Sequence, residues 1–203
     1  PAPLNVLLTD AESTLVQQEG SELLAASAGK REELAAVPEA SMRRELDLAH
    51  SRHARVAVLA VLPAALVDSV RAEVKLSDRA AELVAAFKAA GHVVAVVSGG
   101  FNQILRPIAE DLGLDYWLAN ELEIVDGALT GKVIGAVIDR AAKETYLREW
   151  AAAEGIAMEH TIAVGDGAND LYMLGAAGIG AAFNANPGAR VGADARSPLT
   201  TRA

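Results

Sequence analysis

Two acidic residues, Asp10 and Glu12, follow directly after the apolar run Leu4–Leu8 and could take part in chemistry. A short apolar run bounded by polar residues is typical of a buried strand in a parallel sheet. A carboxylate at the carboxyl end of such a strand lies where open α/β sheets bind their ligands. An ionised side chain is costly there unless a metal ion or a hydrogen-bond donor compensates it. On this stretch alone, the alternative is a strand end followed by a helix whose N-cap is Ser13 or Thr14.

Two further predicted strands also end in polar loops that could bind a ligand. The apolar run His92–Val97 leads into Ser98–Gly100. The run Thr161–Val164 leads into a loop that contains Asp166 and Asp170. In a parallel sheet the three loops share one edge, and carboxylates that converge there repel each other unless a cation joins them. With so few oxygen ligands Mg²⁺ is a better match than Ca²⁺, and the nearby hydroxyl and glycine backbone donors suit a phosphoryl group.

The first group of elements that must position these loops is helical. Residues 16–74 contain no convincing strand, and their apolar spacing predicts four helices between the first and second strands. The expected ranges are 22–28, 31–36, 41 or 46 to 60, and 64–73. This pattern favours an inserted helical subdomain, and the alternative is a long all-helical crossover.

The second group begins at Ser77, where helices and strands start to alternate, which implies right-handed parallel crossovers. The segment Glu121–Val137 instead alternates around Asp126-Gly127 and predicts an antiparallel flap. Other expected elements are helices at 77–90, 102–111, 140–154 and 171–177 and strands at 116–118 and 179–183, whereas the tail after Ala193 is expected to be loose. The predicted fold class is α/β, with a Rossmann-like parallel sheet core, an inserted helical-bundle cap and a β-hairpin flap.

Composition excludes several classes of protein. The chain has 203 residues, 52% of them apolar, which is enough for one α/β domain with an insertion. It contains no cysteine, so disulfides and zinc–thiolate sites are ruled out. No apolar stretch approaches the ~20 residues of a membrane span, and no basic region precedes the first apolar run as it would in a signal peptide. A net charge of −9 without a Lys/Arg cluster argues against nucleic acid as the main partner, and we expect a cytoplasmic protein.

Four segments, in this order, resemble the motifs of the phosphoserine phosphatase family of the haloacid dehalogenase (HAD) superfamily. They are Asp10–Thr14, Ser98–Phe101, Asp139–Lys143 and Gly165–Asp170. Two residues of the helical insertion, Glu19 and Arg55, also match the family. The resemblance runs from residue 4 to residue 192. It implies the HAD fold, with a core domain of residues 1–16 and 75–203 and a helical cap of residues 17–74.

The resemblance implies a Mg²⁺-dependent phosphomonoester hydrolase that converts O-phospho-L-serine to serine and phosphate in L-serine biosynthesis. Asp10 would be the nucleophile that forms an aspartyl-phosphate. Glu12 occupies the position of the general acid and base. Mg²⁺ would bind Asp10, Asp166 and the main-chain carbonyl of Glu12, and Asp170 would be a further ligand or lie beside them.

The remaining implied roles concern the substrate. Three residues would bind the phosphoryl oxygens as charge spreads over them: Ser98, Gly99 and Lys143. Glu19 would meet the substrate ammonium, and Arg55 would pair with both oxygens of its carboxylate. Asn169 would help to position the substrate, and the cap would close over the site and exclude water.

Several positions depart from the family pattern. Glu12 stands where the family has aspartate, and moving a catalytic group by about 1 Å can cost roughly 10²-fold in rate. We therefore expect intact metal binding with weak or absent turnover. Asn186 stands where lysine is common, which removes a charge near the site. In the cap, Gly20 and Ser21 interrupt an otherwise apolar helix stretch, and a glycine there weakens a helix by about 1 kcal/mol.

Two alternatives to phosphoserine hydrolysis remain open. One is a HAD phosphatase or phosphotransferase acting on another small phosphate. The other is a catalytically impaired regulatory or binding relative, which Glu12 favours. Relatives of this type can carry N-terminal regulatory domains that bind amino acids, and the start at Pro1 without an initiator methionine fits the removal of such a region. A homodimer is a further expectation.

Overall fold

The computed structural model describes residues 5–37, 45–183 and 195–197, and within them seven strands form one sheet. In chain order the strands are β1 (Val6–Thr9), β2 (Val93–Phe101), β3 (Tyr116–Val125), β4 (Ala128–Ile134), β5 (Thr161–Gly165), β6 (Ile179–Phe183) and β7 (Ala195–Ser197). Their order across the sheet is β4-β3-β2-β1-β5-β6-β7, and all neighbours are parallel except β3 and β4. The predicted α/β class with a parallel sheet core is confirmed.

Strand β1 lies at the centre of the sheet. Val6 pairs with Val93 of β2 on one side and with Thr161 of β5 on the other. Its apolar residues Val6, Leu7 and Leu8 are at most 2% exposed. A strand buried on both faces needs apolar side chains at every position, which is why its sequence does not alternate. The next residues therefore emerge at the carboxyl edge, between two parallel neighbours.

The helices agree closely with the predicted ranges. They are α1 (Gly20–Ser27), α2 (Arg31–Ala35), α3 (Glu45–Ala57), α4 (Ala65–Glu73), α5 (Ala80–Ala89), α6 (Asn102–Leu112), α7 (Arg140–Ala153) and α8 (Leu171–Ala176). Helix α5 begins later than the predicted Ser77 because Arg79 adopts a left-handed conformation, with φ of 63°. Among the described residues, no helix has both the length and the apolar character that a membrane span requires.

The predicted β-hairpin flap is confirmed. Asp126 and Gly127 at its tip both have positive φ, as a type I′ turn requires. The short strand predicted at 116–118 is not separate from the hairpin, because β3 pairs first with β2 and then with β4. Tyr116 lies opposite Ala95 of β2, whereas Glu121 lies opposite Ile134 of β4. One long strand therefore joins the sheet to the flap.

Two other predictions were wrong at strand ends. The strand expected to stop at Val97 continues to Phe101, which pairs with Asn120 of β3 after a shift in register. The tail expected to be loose contains β7, in which Ala195 lies opposite Ala181 of β6. The departure noted at Asn186 lies outside the described residues.

Helices α1 to α4 share a buried apolar cluster with α6 and the hairpin, which includes Leu24, Leu59, Ile104 and Leu129. Backbone hydrogen bonds also join the segment after α3 to the hairpin. Val61 N–H donates to the Leu129 carbonyl, and Leu129 N–H donates to the Leu62 carbonyl, both at 2.8 Å. The helical insertion is thus attached to the flap as well as to the sheet.

The insertion leaves and rejoins the sheet at adjacent points. Gln17 N–H donates to the Lys75 carbonyl at 2.9 Å, and Ser77 N–H donates to the Leu15 carbonyl at 2.9 Å. Both connecting segments therefore run side by side at the carboxyl edge of β1, and the helices between them lie beside the polar loops of the sheet.

Candidate active site

Asp10 lies at the carboxyl end of β1, in the middle of the sheet. Its backbone N–H donates to the Val164 carbonyl of β5 at 2.8 Å, which continues the strand pairing. Its Oδ1 accepts from the Ala11 N–H at 2.7 Å, and the residue is only 3% exposed. A carboxylate buried this deeply needs donors or a cation to compensate its charge.

Three carboxylates converge at this point: those of Asp10, Asp166 and Asp170. One oxygen of each lies within 4.8 Å of the others. The loop after β5 delivers the second and third, and Asp170 Oδ2 accepts from the N–H groups of Asp166 at 3.2 Å and Gly167 at 3.1 Å. A Cβ on Gly165 would lie 2.5 Å from the Asp170 carboxylate, so this close approach requires glycine. The predicted convergence of strand-end carboxylates is therefore what the structure contains.

Lys143 is the cation next to these carboxylates. The Asp139 side chain caps α7 by accepting from Ala142 N–H at 2.8 Å, which places Lys143 in the first turn. Its Nζ lies 2.9 Å from Asp10 Oδ1 and 2.6 Å from Asp170 Oδ1, and its side chain is 1% exposed. Burial opposes its charge, but the two carboxylates outweigh burial and raise the pKa of Lys143. One lysine thus faces three carboxylates.

The site resists the accumulation of negative charge. Burial, followed by the neighbouring Asp170 carboxylate, raises the pKa of Asp10 from 3.8 to about 8. The same two causes raise the pKa of Asp166 from 3.8 to about 6. A divalent cation would remove this repulsion, and clustered carboxylate oxygens are the donors that Mg²⁺ prefers. The residues present therefore fit a magnesium ion.

The segment Ser98–Gly100 lies at the end of β2, on the same edge of the sheet. Ser98 is 1% exposed, and its Oγ accepts from the Gly100 N–H at 2.9 Å, a bond that does not use the hydroxyl proton. Asn120 Nδ2 donates to the Gly99 carbonyl at 2.7 Å, and Asn120 Oδ1 accepts from the Ile138 N–H at 2.8 Å. This network holds the backbone of the segment in one orientation.

The side chain of Glu12 lies outside the cluster of three carboxylates. Its Oε1 accepts from the backbone N–H of Gly20, the first residue of α1, at 2.7 Å. A Cβ on Gly100 would lie 2.8 Å from the Glu12 carboxyl carbon. The longer side chain thus fits because position 100 is glycine, and it connects the turn after β1 to the helical insertion.

The two residues expected to recognise the substrate's amino and carboxylate groups lie together. Arg55 Nη2 lies 3.4 Å from Glu19 Oε2 and 3.3 Å from Ser21 Oγ. Both residues of the ion pair belong to the helical insertion and face the same cavity as Asp10.

A cavity of about 280 Å³ separates the insertion from the edge of the sheet. Seven of the predicted site residues line it: Asp10, Glu12, Glu19, Arg55, Gly99, Asp166 and Asn169. The other three, Ser98, Lys143 and Asp170, are buried next to it and do not line it.

Two arginines that line the cavity were missed by sequence reasoning. Arg52 precedes Arg55 by one helical turn on α3, and its Nη1 donates to the Gly99 carbonyl. Arg140 follows the N-cap of α7, and its guanidinium carbon lies 5.2 Å from the centre of the Tyr172 ring. The helical spacing of Arg52 and Arg55 was a signal that could have identified the first.

Residues 7–175 match the family described as haloacid dehalogenase-like hydrolase. A curated phosphoserine phosphatase from Streptomyces coelicolor is 54% identical over 182 residues, which are 90% of this chain and 44% of the relative. The chain therefore spans less than half of that relative's length.

Two solved structures resemble the fold closely. One is described as a phospho-aspartyl intermediate analogue of phosphoserine phosphatase; it is 40% identical with a TM-score of 0.89, over 96% of this chain and 93% of that one. The other is described as a substrate-bound phosphoserine phosphatase complex; it is 39% identical with a TM-score of 0.90, over 97% of this chain and 93% of that one.

Proposed function

The chain belongs to the haloacid dehalogenase-like hydrolases, and on that basis we propose that it is a phosphomonoesterase that hydrolyses O-phospho-L-serine to L-serine and inorganic phosphate. One observation carries the proposal: Asp10 and Asp166 line the same cavity as Glu19 and Arg55. Groups suited to phosphoryl transfer thus face a pair suited to an amino acid. The names of the similar proteins support this substrate.

Asp10 is the nucleophile in this proposal. Its carboxylate attacks phosphorus and displaces the serine alkoxide, which leaves with a proton from Glu12. Water, deprotonated by Glu12, then attacks the phosphorus of the aspartyl-phosphate and releases phosphate with Asp10 restored. Splitting the hydrolysis into two displacements replaces one difficult step by two easier ones. The solved structure described as a phospho-aspartyl intermediate analogue supports this route.

We propose that Asp10, Asp166 and the main-chain carbonyl of Glu12 hold Mg²⁺, with Asp170 beside them. The carboxylate cluster and its raised pKa values support this assignment. The ion would supply positive charge to the phosphoryl oxygens and keep Asp10 ionised.

The substrate is held at both ends. Three groups bind the phosphoryl oxygens: the Ser98 hydroxyl, the Gly99 backbone N–H and Lys143. At the other end Glu19 pairs with the ammonium group and Arg55 with the carboxylate, while Asn169 positions the molecule between them. The 3.4 Å separation of the Glu19 and Arg55 side chains suits two opposite charges on one small amino acid.

The proposal divides the chain into a core of residues 1–16 and 75–203 and a cap of residues 17–74. The adjacent crossings of the chain at Gln17 and Lys75 support these boundaries. A homodimer, N-terminal regulatory domains, a role in serine biosynthesis and a cytoplasmic location stay predictions.

Glu12 favours a second candidate function, a binding protein with impaired catalysis. Its carboxylate is engaged by the Gly20 N–H at 2.7 Å and lies outside the carboxylate cluster. A protein of this kind would bind phosphoserine and Mg²⁺ and turn over slowly.

The test is phosphate release from O-phospho-L-serine, O-phospho-L-threonine and an aryl phosphate, with and without Mg²⁺. The proposal expects Mg²⁺-dependent release that is fastest with phosphoserine and absent in Asp10→Asn. A beryllium fluoride adduct on Asp10 would report the intermediate. Phosphoserine binding without release would support the second candidate, and a preference for another phosphate would refute the substrate assignment.

A further inference from the structure

Arg52 is a cavity-lining cation that the proposed mechanism does not use. Its side chain extends from α3 of the insertion to the backbone at the end of β2, where Nη1 donates to the Gly99 carbonyl. We propose that Arg52 is a further substrate-binding residue, which binds the phosphoryl group from the side of the insertion. The inference rests on the proposed function, because it concerns the substrate of that same site.

The position of the guanidinium supports this role. A Cβ on Gly99 would collide with Nη1 and Nη2 of Arg52, so the guanidinium lies directly against the backbone that is proposed to receive the phosphoryl oxygens. The Gly99 carbonyl also accepts from Asn120 Nδ2 at 2.7 Å, so it does not need Arg52 as a donor. A guanidinium carries several N–H donors in a planar fork, and contact through Nη1 leaves others for a ligand in the cavity.

The charges around the cavity also support a role for Arg52 in binding the phosphoryl group. Lys143 is in contact with both Asp10 and Asp170, so its positive charge is largely compensated. Arg55 is paired with Glu19. A phosphate monoester brings about two negative charges to this site. Arg52, in contact with a neutral carbonyl, keeps its full charge for that dianion.

The spacing of two arginines defines the class of substrate. Arg52 and Arg55 are three residues apart on α3, and such pairs have Cβ atoms about 5–6 Å apart on one helix face. Phosphoserine has its phosphorus and its carboxylate carbon separated by three atoms, so each anionic group can meet one arginine. The pair therefore selects small phosphomonoesters with a second anionic group close to the phosphate, and a phosphate monoester without a carboxylate engages Arg52 alone.

The test measures inorganic phosphate binding to the full chain by calorimetry in the presence of Mg²⁺, together with KM for phosphoserine. Arg52→Leu is expected to weaken phosphate binding and raise KM roughly 10- to 100-fold, the effect of losing a charge-assisted hydrogen bond. Arg52→Lys keeps the positive charge but not the planar fork of donors. Its phosphate affinity and its KM are expected to lie between those of the original chain and those of Arg52→Leu. Arg71→Leu is the matched control, since Arg71 pairs with Asp68 on the exposed surface of α4 and is expected to change neither value.

The outcomes separate this inference from the proposed function. Unchanged phosphate affinity in Arg52→Leu, with or without a lower unfolding temperature, would overturn the inference and leave Arg52 a purely structural residue. Phosphate binding that depends on Arg52 in a chain that does not hydrolyse phosphoserine would refute the proposed function alone. If Arg52→Leu does not fold, Arg52→Gln provides the same comparison, because it keeps a polar side chain of similar length.

Discussion

Shortening Glu12 by one methylene, in Glu12→Asp, is expected to raise kcat for phosphoserine hydrolysis and to lower stability. In the structure the Glu12 carboxylate accepts from the Gly20 N–H at 2.7 Å and lies outside the group formed by Asp10, Asp166 and Asp170. An aspartate at this position is too short to keep the contact with α1. Its carboxylate is therefore free to serve the leaving alkoxide and the attacking water.

The changes in kcat and in stability expected for Glu12→Asp each have a definite size. A catalytic group displaced by about 1 Å costs roughly 10²-fold in rate, which is about 2.7 kcal/mol of barrier. We therefore expect kcat to rise by about 10²-fold. Gly20 supplies one of the first N–H groups of α1, and removing the acceptor of such a group costs about 1 kcal/mol of unfolding free energy.

The assay is steady-state phosphate release at saturating phosphoserine and Mg²⁺, combined with urea unfolding of the same samples. Glu22→Asp is the control, because it makes the same change at an exposed position of α1 and should alter neither quantity by much. Equal kcat in the original chain and in Glu12→Asp would refute the catalytic reasoning. Unchanged stability would refute the structural role of the contact with Gly20.

Two further predictions follow from the carboxylate cluster and from the flap. The pKa values of Asp10 and Asp166 are raised to about 8 and about 6, so the folded metal-free protein binds more protons than the unfolded chain. These two groups therefore make the folded protein less stable as pH rises from 4 to 8. Mg²⁺ should therefore raise the unfolding temperature more at pH 8 than at pH 5, and Asp10→Asn should reduce this difference between the two pH values. An equal rise in unfolding temperature at pH 5 and pH 8 would contradict the prediction. Gly131→Ala should destabilise by about 2 kcal/mol or more, since φ is +80° and the new Cβ would lie 2.8 Å from Ala60 Cβ. Gly135→Ala, with φ of +79° and no atom within 4 Å of the new Cβ, should lose only the stability that depends on the backbone conformation. Equal losses for the two variants in chemical unfolding would show that the contact with Ala60 does not matter.

The site could be predicted from the sequence wherever it depends on strand ends. Asp10, Ser98 and Asp166 each follow an apolar run, and parallel pairing brings such positions to one edge whatever the rest of the chain does. The hairpin could be predicted equally well, because Asp126-Gly127 tolerates the positive φ of a tight turn.

What could not be predicted depends on contacts between distant segments. The extension of β2 to Phe101 requires Asn120 as a partner, and nothing in Ser98–Phe101 itself has the pattern of a strand. The short β7 exists only because it pairs with β6. The contacts from Glu12 to Gly20 and from Arg52 to Gly99 likewise cross between the sheet and the insertion, and sequence spacing carries no information about such distances.

The two attachments of the helical insertion restrict how its cavity can open. One attachment is the paired crossing at Gln17 and Lys75, and the other is the set of backbone bonds between Val61, Leu62 and Leu129. Both attachments are made by the backbone, whereas the contacts from Glu12 to Gly20 and from Arg52 to Gly99 each involve a side chain that can move away. The hairpin is thus a second backbone anchor of the insertion, so a substitution in the hairpin can alter how the cavity opens without changing any residue that lines it.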